Sequence, residues 1–205
     1  MANVNVAFGM KPINLAGGAP NSTGTNAYFI KSDASAIYQG SPVIATNDGT
    51  IAITGSASGD TYKHIGVFAG CEYVSSTTGK KVFANIWPGS GADTNFDIVG
   101  FVYDNPTQRF IIATDATFTN RATAIAAIFE NTQFNTATSG STTTGISSAS
   151  MDVATLDATN ASLPLKILGL YDDPENVDYT AAGASIVVMF NNHALLSNDV
   201  ETVVS

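Results

Sequence analysis

Apolar residues in this chain fall in short runs that alternate with polar ones and stop at glycine, proline or Asx turns. Thr50-Ile51-Ala52-Ile53-Thr54 alternates with period two, the spacing of a strand with one buried face. It follows Pro42-Val43-Ile44-Ala45 across Asn47-Asp48-Gly49, and Asp-Gly between apolar runs is a hairpin signal. His64 to Val74 is a longer run, and Ser75 to Lys80 turns it back onto Lys81 to Trp87. Phe96 to Tyr103 and Arg109 to Thr114 read as a further hairpin across Asn105-Pro106-Thr107-Gln108. Ala27 to Ile30, Met151 to Leu156, Leu163 to Tyr171 and Ala184 to Phe190 complete the expected strands.

Two segments echo each other. Gly100-Phe101-Val102-Tyr103-Asp104-Asn105-Pro106 and Gly169-Leu170-Tyr171-Asp172-Asp173-Pro174 each read as a strand that ends in a proline turn. The echo is too short to establish a duplication. One helix is expected over residues 119–131, capped by Thr119-Asn120, with Ile125, Ile128 and Phe129 at helical spacing. The predicted fold is therefore mainly β, a jelly-roll or β-barrel-like domain with at most one short helix.

Residues 1–26 read differently. Phe8, Met10, Pro12, Ile13 and Leu15 are apolar without a period, and Gly17 to Gly24 is a loop by composition. Such an arm lies across its own domain or across a neighbour. The expected organisation is an arm over 1–26, a β-rich domain over 27–197 with a Ser/Thr/Gly-rich loop at 136–150, and a polar tail over 198–205.

Charge narrows the function. Only 12% of the 205 residues are charged, against about 25% in ordinary soluble domains. Ser, Thr, Asn and Gly must supply the polar surface, and they desolvate against protein more cheaply than ionised groups do. The formal net charge is −9, which opposes binding to nucleic acid or to anionic lipid. The N-terminal residues form no signal peptide, and no apolar run reaches the ~20 residues of a membrane helix, so synthesis and folding in the cytosol are expected.

Chemistry-bearing motifs are sparse. A Ser/His/Asp triad would have to use His64 or His193, and no Gly-x-Ser-x-Gly elbow is present. The single cysteine, Cys71, lies in an apolar run and reads as a core residue. One cysteine and two isolated histidines do not make a zinc site. Thr77-Thr78-Gly79-Lys80-Lys81 resembles the end of a P-loop but has Val74 where glycine is needed and Lys81 where Ser or Thr is needed. Asp172 to Asp178 is an acidic cluster without EF-hand spacing, read as a solvated turn with calcium as its rival. No catalytic residue, metal or cofactor is assigned.

The order of several short motifs resembles a group of virion structural proteins of tailed bacteriophages, especially marine ones, taken to be capsid decoration or cement proteins. These motifs are Phe8 to Ile13, Tyr38 to Val43, Ile65 to Tyr73, Trp87 to Gly89, Phe101 to Pro106, Ser141 to Ser147, Leu168 to Pro174 and Phe190 to His193. The resemblance covers nearly the whole chain and is weakest over 115–135. It implies a non-enzymatic β-rich protein on the capsid exterior, with the major capsid protein as partner and a homo-oligomer, trimer or dimer, on a symmetry axis. On that reading Phe8, Met10, Pro12, Ile13 and Leu15 are the candidate contact residues, and deletion of 1–15 is expected to remove binding and leave folding intact. The rival readings are a tail, fibre or major capsid subunit, a glycan-binding module of the particle, and a carboxylate-based hydrolase. The sequence shows no long spine helix of the kind expected for a major capsid subunit.

Overall fold

The computed structural model describes residues 6–18, 24–54 and 64–196. Its strands are β1 (Lys11–Leu15), β2 (Asn26–Ile30), β3 (Ile37–Tyr38), β4 (Pro42–Ala45), β5 (Thr50–Ile53), β6 (His64–Val74), β7 (Lys81–Ala84), β8 (Ile86–Trp87), β9 (Ile98–Tyr103), β10 (Gln108–Ala113), β11 (Asn131–Thr132), β12 (Phe134–Asn135), β13 (Ser150–Met151), β14 (Leu165–Leu170) and β15 (Ser185–Phe190). One α-helix, α1 (Arg121–Ala126), lies among them. The mainly-β expectation holds.

Strands β4, β5, β2, β9 and β6 form a closed barrel, because β6 pairs back onto β4. Closure removes the free edges that an open sheet leaves unpaired. The β2–β5 pair is parallel, with Phe29 beside Thr50, and the other barrel pairs are antiparallel. Ile30, Val43, Ile51, Phe68, Ile98 and Val102 fill the barrel. Trp87 closes one end: it is fully buried, its indole N–H donates to the Ala34 carbonyl at 3.2 Å, and Tyr73 meets it edge-on at 5.4 Å.

Beside the barrel lies an antiparallel sheet in the order β1-β10-β15-β14-β11. Along β15, Ile186, Val188 and Phe190 turn inward while Ser185, Val187 and Met189 are half-buried. Phe110, Ile112, Leu165 and Ile167 join them in a second core, which α1 and the β12–β13 pair help to cover.

Strand β6 serves both cores. Val67 belongs to the second core, whereas Ile65, Phe68 and Cys71 face the barrel interior. This explains its nearly continuous burial, the pattern of a strand covered on both faces. Gly66 makes the close approach possible: a Cβ there would lie 2.2 Å from the Tyr103 carbonyl oxygen.

Three expectations need correction. The run from Met151 to Leu156 is not a strand: only Met151 belongs to β13, and Val153–Thr155 form a 3-10 turn that the Asp152 side chain caps by accepting from the Ala154 N–H. Strands β9 and β10 do not pair: β9 stays in the barrel between β2 and β6, and β10 joins β1 and β15. The Asp104–Thr107 turn carries the chain from one sheet to the other. Asn105 shapes it by accepting from the Thr107 N–H at 2.9 Å. The helix forms with Asn120 as its N-cap and a reciprocal Thr123 bond, but it ends early and its inward residues are Ala124 and Ala127. Ile125 and Phe129 are exposed.

The arm also acquires a fold. Residues 11–15 form β1, an edge strand on β10, with Pro12 beside Phe110. Residues 1–5, 19–23, 55–63 and 197–205 lie outside the described residues. The expected polar tail over 198–205 falls there.

Candidate docking face

The five candidate contact residues divide. Met10 is 2% exposed and packs in the second core, and its N–H donates to the Gly40 carbonyl at 2.9 Å. It anchors the arm. Phe8, Pro12, Ile13 and Leu15 are half-buried. Deleting 1–15 would therefore remove an edge strand and a core side chain, so the expectation that folding survives the deletion is withdrawn.

Phe8 and Pro12 do come together. With Met10, Gln39, Tyr103 and Ile146 they line an apolar pocket of about 270 Å³. The Lys11 ammonium sits 4.4 Å from the centre of the Phe8 ring, a cation–π contact that holds the ring at the pocket mouth. Ile146 reaches the pocket because Gln39 and Ile146 bridge through their backbones, joining the 136–150 segment to the residue after β3.

A shallow groove continues from this pocket around the barrel. Tyr103 lines both, and Ala69, Phe83, Ala84, Asn85 and Phe101 are among the other residues that line the groove. Strand β9 places Ile98, Gly100 and Val102 inward, so Val99, Phe101 and Tyr103 fall on the outer face. On β7, Lys81 and Phe83 face solvent while Val82 and Ala84 are half-buried. Phe83 is 70% exposed, and Lys81 stands 5.5 Å from its ring centre. The face thus has a phenylalanine–lysine pair at each end and tyrosine between. Reading 1–26 as the contact segment missed Phe83, Phe101, Tyr103 and Ile146. The one local clue was Phe83 at a solvent position of a strand whose other outward residue is lysine.

Other candidate chemistry resolves into structure. The Cys71 thiol is buried, donates to the Ile86 carbonyl at 3.3 Å, and is pushed by burial up to about 12. It is protonated at neutral pH and has little nucleophilic character. Thr77 to Lys80 is a hairpin turn in which the Ser75 N–H donates to the Lys80 carbonyl. In the acidic segment, Asp173 accepts from the Glu175 N–H and Asp178 from the Thr180 N–H and hydroxyl. These carboxylates cap their own turns, and no group of three metal-ligating side chains occurs among the described residues. His64 and His193 are core residues, 1% and 3% exposed.

Comparison with family models, curated proteins and solved structures found no match. The chemistry of this face carries the functional reading.

Proposed function

We propose that this chain is a non-enzymatic cement protein that decorates the exterior of a tailed-phage capsid and steadies contacts between major capsid subunits. The observation that carries the proposal is the apolar pocket of Phe8, Pro12, Tyr103 and Ile146, held rigid from below by buried Met10. A preformed apolar face loses little conformational entropy on docking, which is where rigid binders gain affinity. Many weak contacts repeated over a shell then add through avidity.

The motifs that carry the phage resemblance sit where the fold is most demanding. Phe8 to Ile13 anchors the arm, Ile65 to Tyr73 is the strand shared by both cores, and Phe101 to Pro106 makes the crossover. Phe190 to His193 packs on His64. The resemblance is thus one of scaffold rather than of a reactive site.

The test is co-sedimentation with undecorated shells. Phe8→Ala and Ile146→Ser are expected to weaken shell binding at least tenfold while circular dichroism stays native. Undiminished binding by both variants would remove this pocket from the interface.

A further inference from the structure

At the end of β14 the structure holds a cleft of about 390 Å³, within the range of small-molecule sites. The first residue of α1, the last residue of β14 and the turn that follows β14 line it. Asn176 fixes that turn. Its side chain is buried, donates to the Tyr171 and Ser185 carbonyls at 2.8 Å each, and accepts from the Ser185 N–H at 2.8 Å. The cleft is therefore preformed, and little conformational entropy is lost when it is filled.

Its polar walls are left without partners. Tyr179 is 6% exposed and packs in the second core, yet it also lines the cleft. Its hydroxyl has no hydrogen-bond partner among the described residues and is not sealed from solvent. A buried phenol ordinarily finds a partner, so this one points to a ligand. Arg121 and Asp172 line the same cleft without pairing with each other or with any other side chain among the described residues. Asp173 differs, because its carboxylate caps the turn through the Glu175 N–H.

A guanidinium only donates, a carboxylate only accepts, and a phenol does either. A ligand that satisfies all three must itself donate and accept. A bare anion would face Asp172 and Asp173, and a bare cation would face Arg121. Half-buried Tyr171 and exposed Val177 add apolar surface on which C–H groups can rest. A sugar ring has this combination, with hydroxyls around its edge and C–H groups on its face.

We propose that this cleft binds a neutral hexose unit of a glycan. Asp172 accepts from one sugar hydroxyl, Arg121 and Tyr179 donate to others, and the ring's C–H face lies against Tyr171 and Val177. The bonds to Asp172 and Arg121 are charge-assisted, hence shorter and stronger than neutral ones. The cleft shares no residue with the proposed shell-contact pocket, and its test needs no shell.

The isotope-labelled full chain is titrated with the methyl glycosides of glucose, mannose and galactose and followed by amide NMR. The capped anomeric oxygen of these probes mimics a glycan linkage. At the per-atom efficiency of small ligands, one of them is expected to bind with a Kd of about 1 mM, shifting the amides of Arg121, Tyr171, Asp172 and Tyr179. Tyr179→Phe, Arg121→Gln and Asp172→Asn are each expected to weaken it by about fivefold or more, with circular dichroism unchanged. A silent titration with every glycoside would overturn the proposal. So would amides that answer only to glycine or to calcium chloride, or three variants that bind as the parent does.

Discussion

His64 and His193 bridge through their backbones where the barrel's shared strand meets the chain after β15, and their rings are sealed among Phe134 and Phe190. The His64 ring stacks on Phe190 at 5.2 Å with 14° between planes. Neither His64 ring nitrogen has a hydrogen-bond partner among the described residues, nor has Nε2 of His193. His193 Nδ1 accepts from the Leu195 N–H at 3.2 Å. Burial drives the His64 pKa down to about 3, with the facing His193 adding to the effect. It drives His193 to about 4, against an upward pull from Asp104 and the Ile65 backbone. Both rings are neutral at pH 7.

That pair makes stability depend on pH in a defined window. The folded values lie below the unfolded value of about 6.5, so between them the unfolded chain holds more protons. The histidine contribution is fully present above about pH 6.5 and is lost as pH falls toward 4 and 3. Asp104 is the charged group facing this seam, and it is held by Tyr28 and Asn26. Urea unfolding should show a loss of about 3 kcal/mol between pH 7 and pH 5. His64→Leu should remove roughly half of that difference. A pH-independent midpoint in the parent protein would show that the rings ionise normally in the fold.

Asp104 ties the end of β9 to β2. It accepts from the Tyr28 hydroxyl at 2.5 Å and from Asn26 Nδ2 at 2.8 and 3.0 Å. Asp104→Ala leaves the Tyr28 hydroxyl without this acceptor and should cost about 2 kcal/mol in urea unfolding. Tyr28 itself is shifted upward by burial and by its bond to Asp104. In an ultraviolet pH titration one tyrosine should therefore ionise well above the rest, and Asp104→Ala should bring it down. A tyrosine absorbance curve unchanged by that substitution would contradict the arrangement.

Two glycines should answer differently to alanine. Gly66 has φ +156° and would press a Cβ against the Tyr103 carbonyl, so Gly66→Ala should cost at least about 3 kcal/mol or prevent folding. Gly79 has φ +64° with nothing near its missing Cβ, so Gly79→Ala should cost only about 1 kcal/mol. Equal losses at the two sites would mean that β6 is not sandwiched as described.

Met10 and Phe8 lie two residues apart and should separate stability from binding. Met10→Ala opens the second core and should cost about 2–4 kcal/mol. Phe8→Ala removes a half-buried ring and should cost less than about 2 kcal/mol while weakening shell binding. If Met10→Ala is as stable as the parent, the arm is not anchored through that side chain.

The legible parts of the fold were those written in adjacent residues. Asp48-Gly49 announced the β4–β5 hairpin, Ser75 to Lys80 announced β6–β7, and Asn120 announced the helix start. What escaped was non-local. Nothing near Lys11 signals a partner at Ile111, and nothing near Phe29 signals a parallel partner at Thr50. The Asn-Pro turn after Tyr103 has the residues of a hairpin, yet the chain leaves the barrel there, because β9 already has β2 and β6 on its two edges. The helix turned its alanines inward because a small face packs close against the second core, leaving the larger Ile125 and Phe129 outside. The candidate face was half legible. Phe8 and Pro12 were chosen from sequence, but Phe83, Phe101, Tyr103 and Ile146 reach the same surface only through the barrel's curvature and the Gln39–Ile146 bridge.

The most direct test of the cement role is a copy count. Purified protein is mixed with undecorated shells assembled from a tailed-phage major capsid protein, sedimented, and quantified per shell across a concentration series. The account predicts saturation at a copy number fixed by shell symmetry, with decorated shells more resistant to heat than bare ones. Protein that stays in the supernatant at every concentration, or binds without saturating, would contradict it.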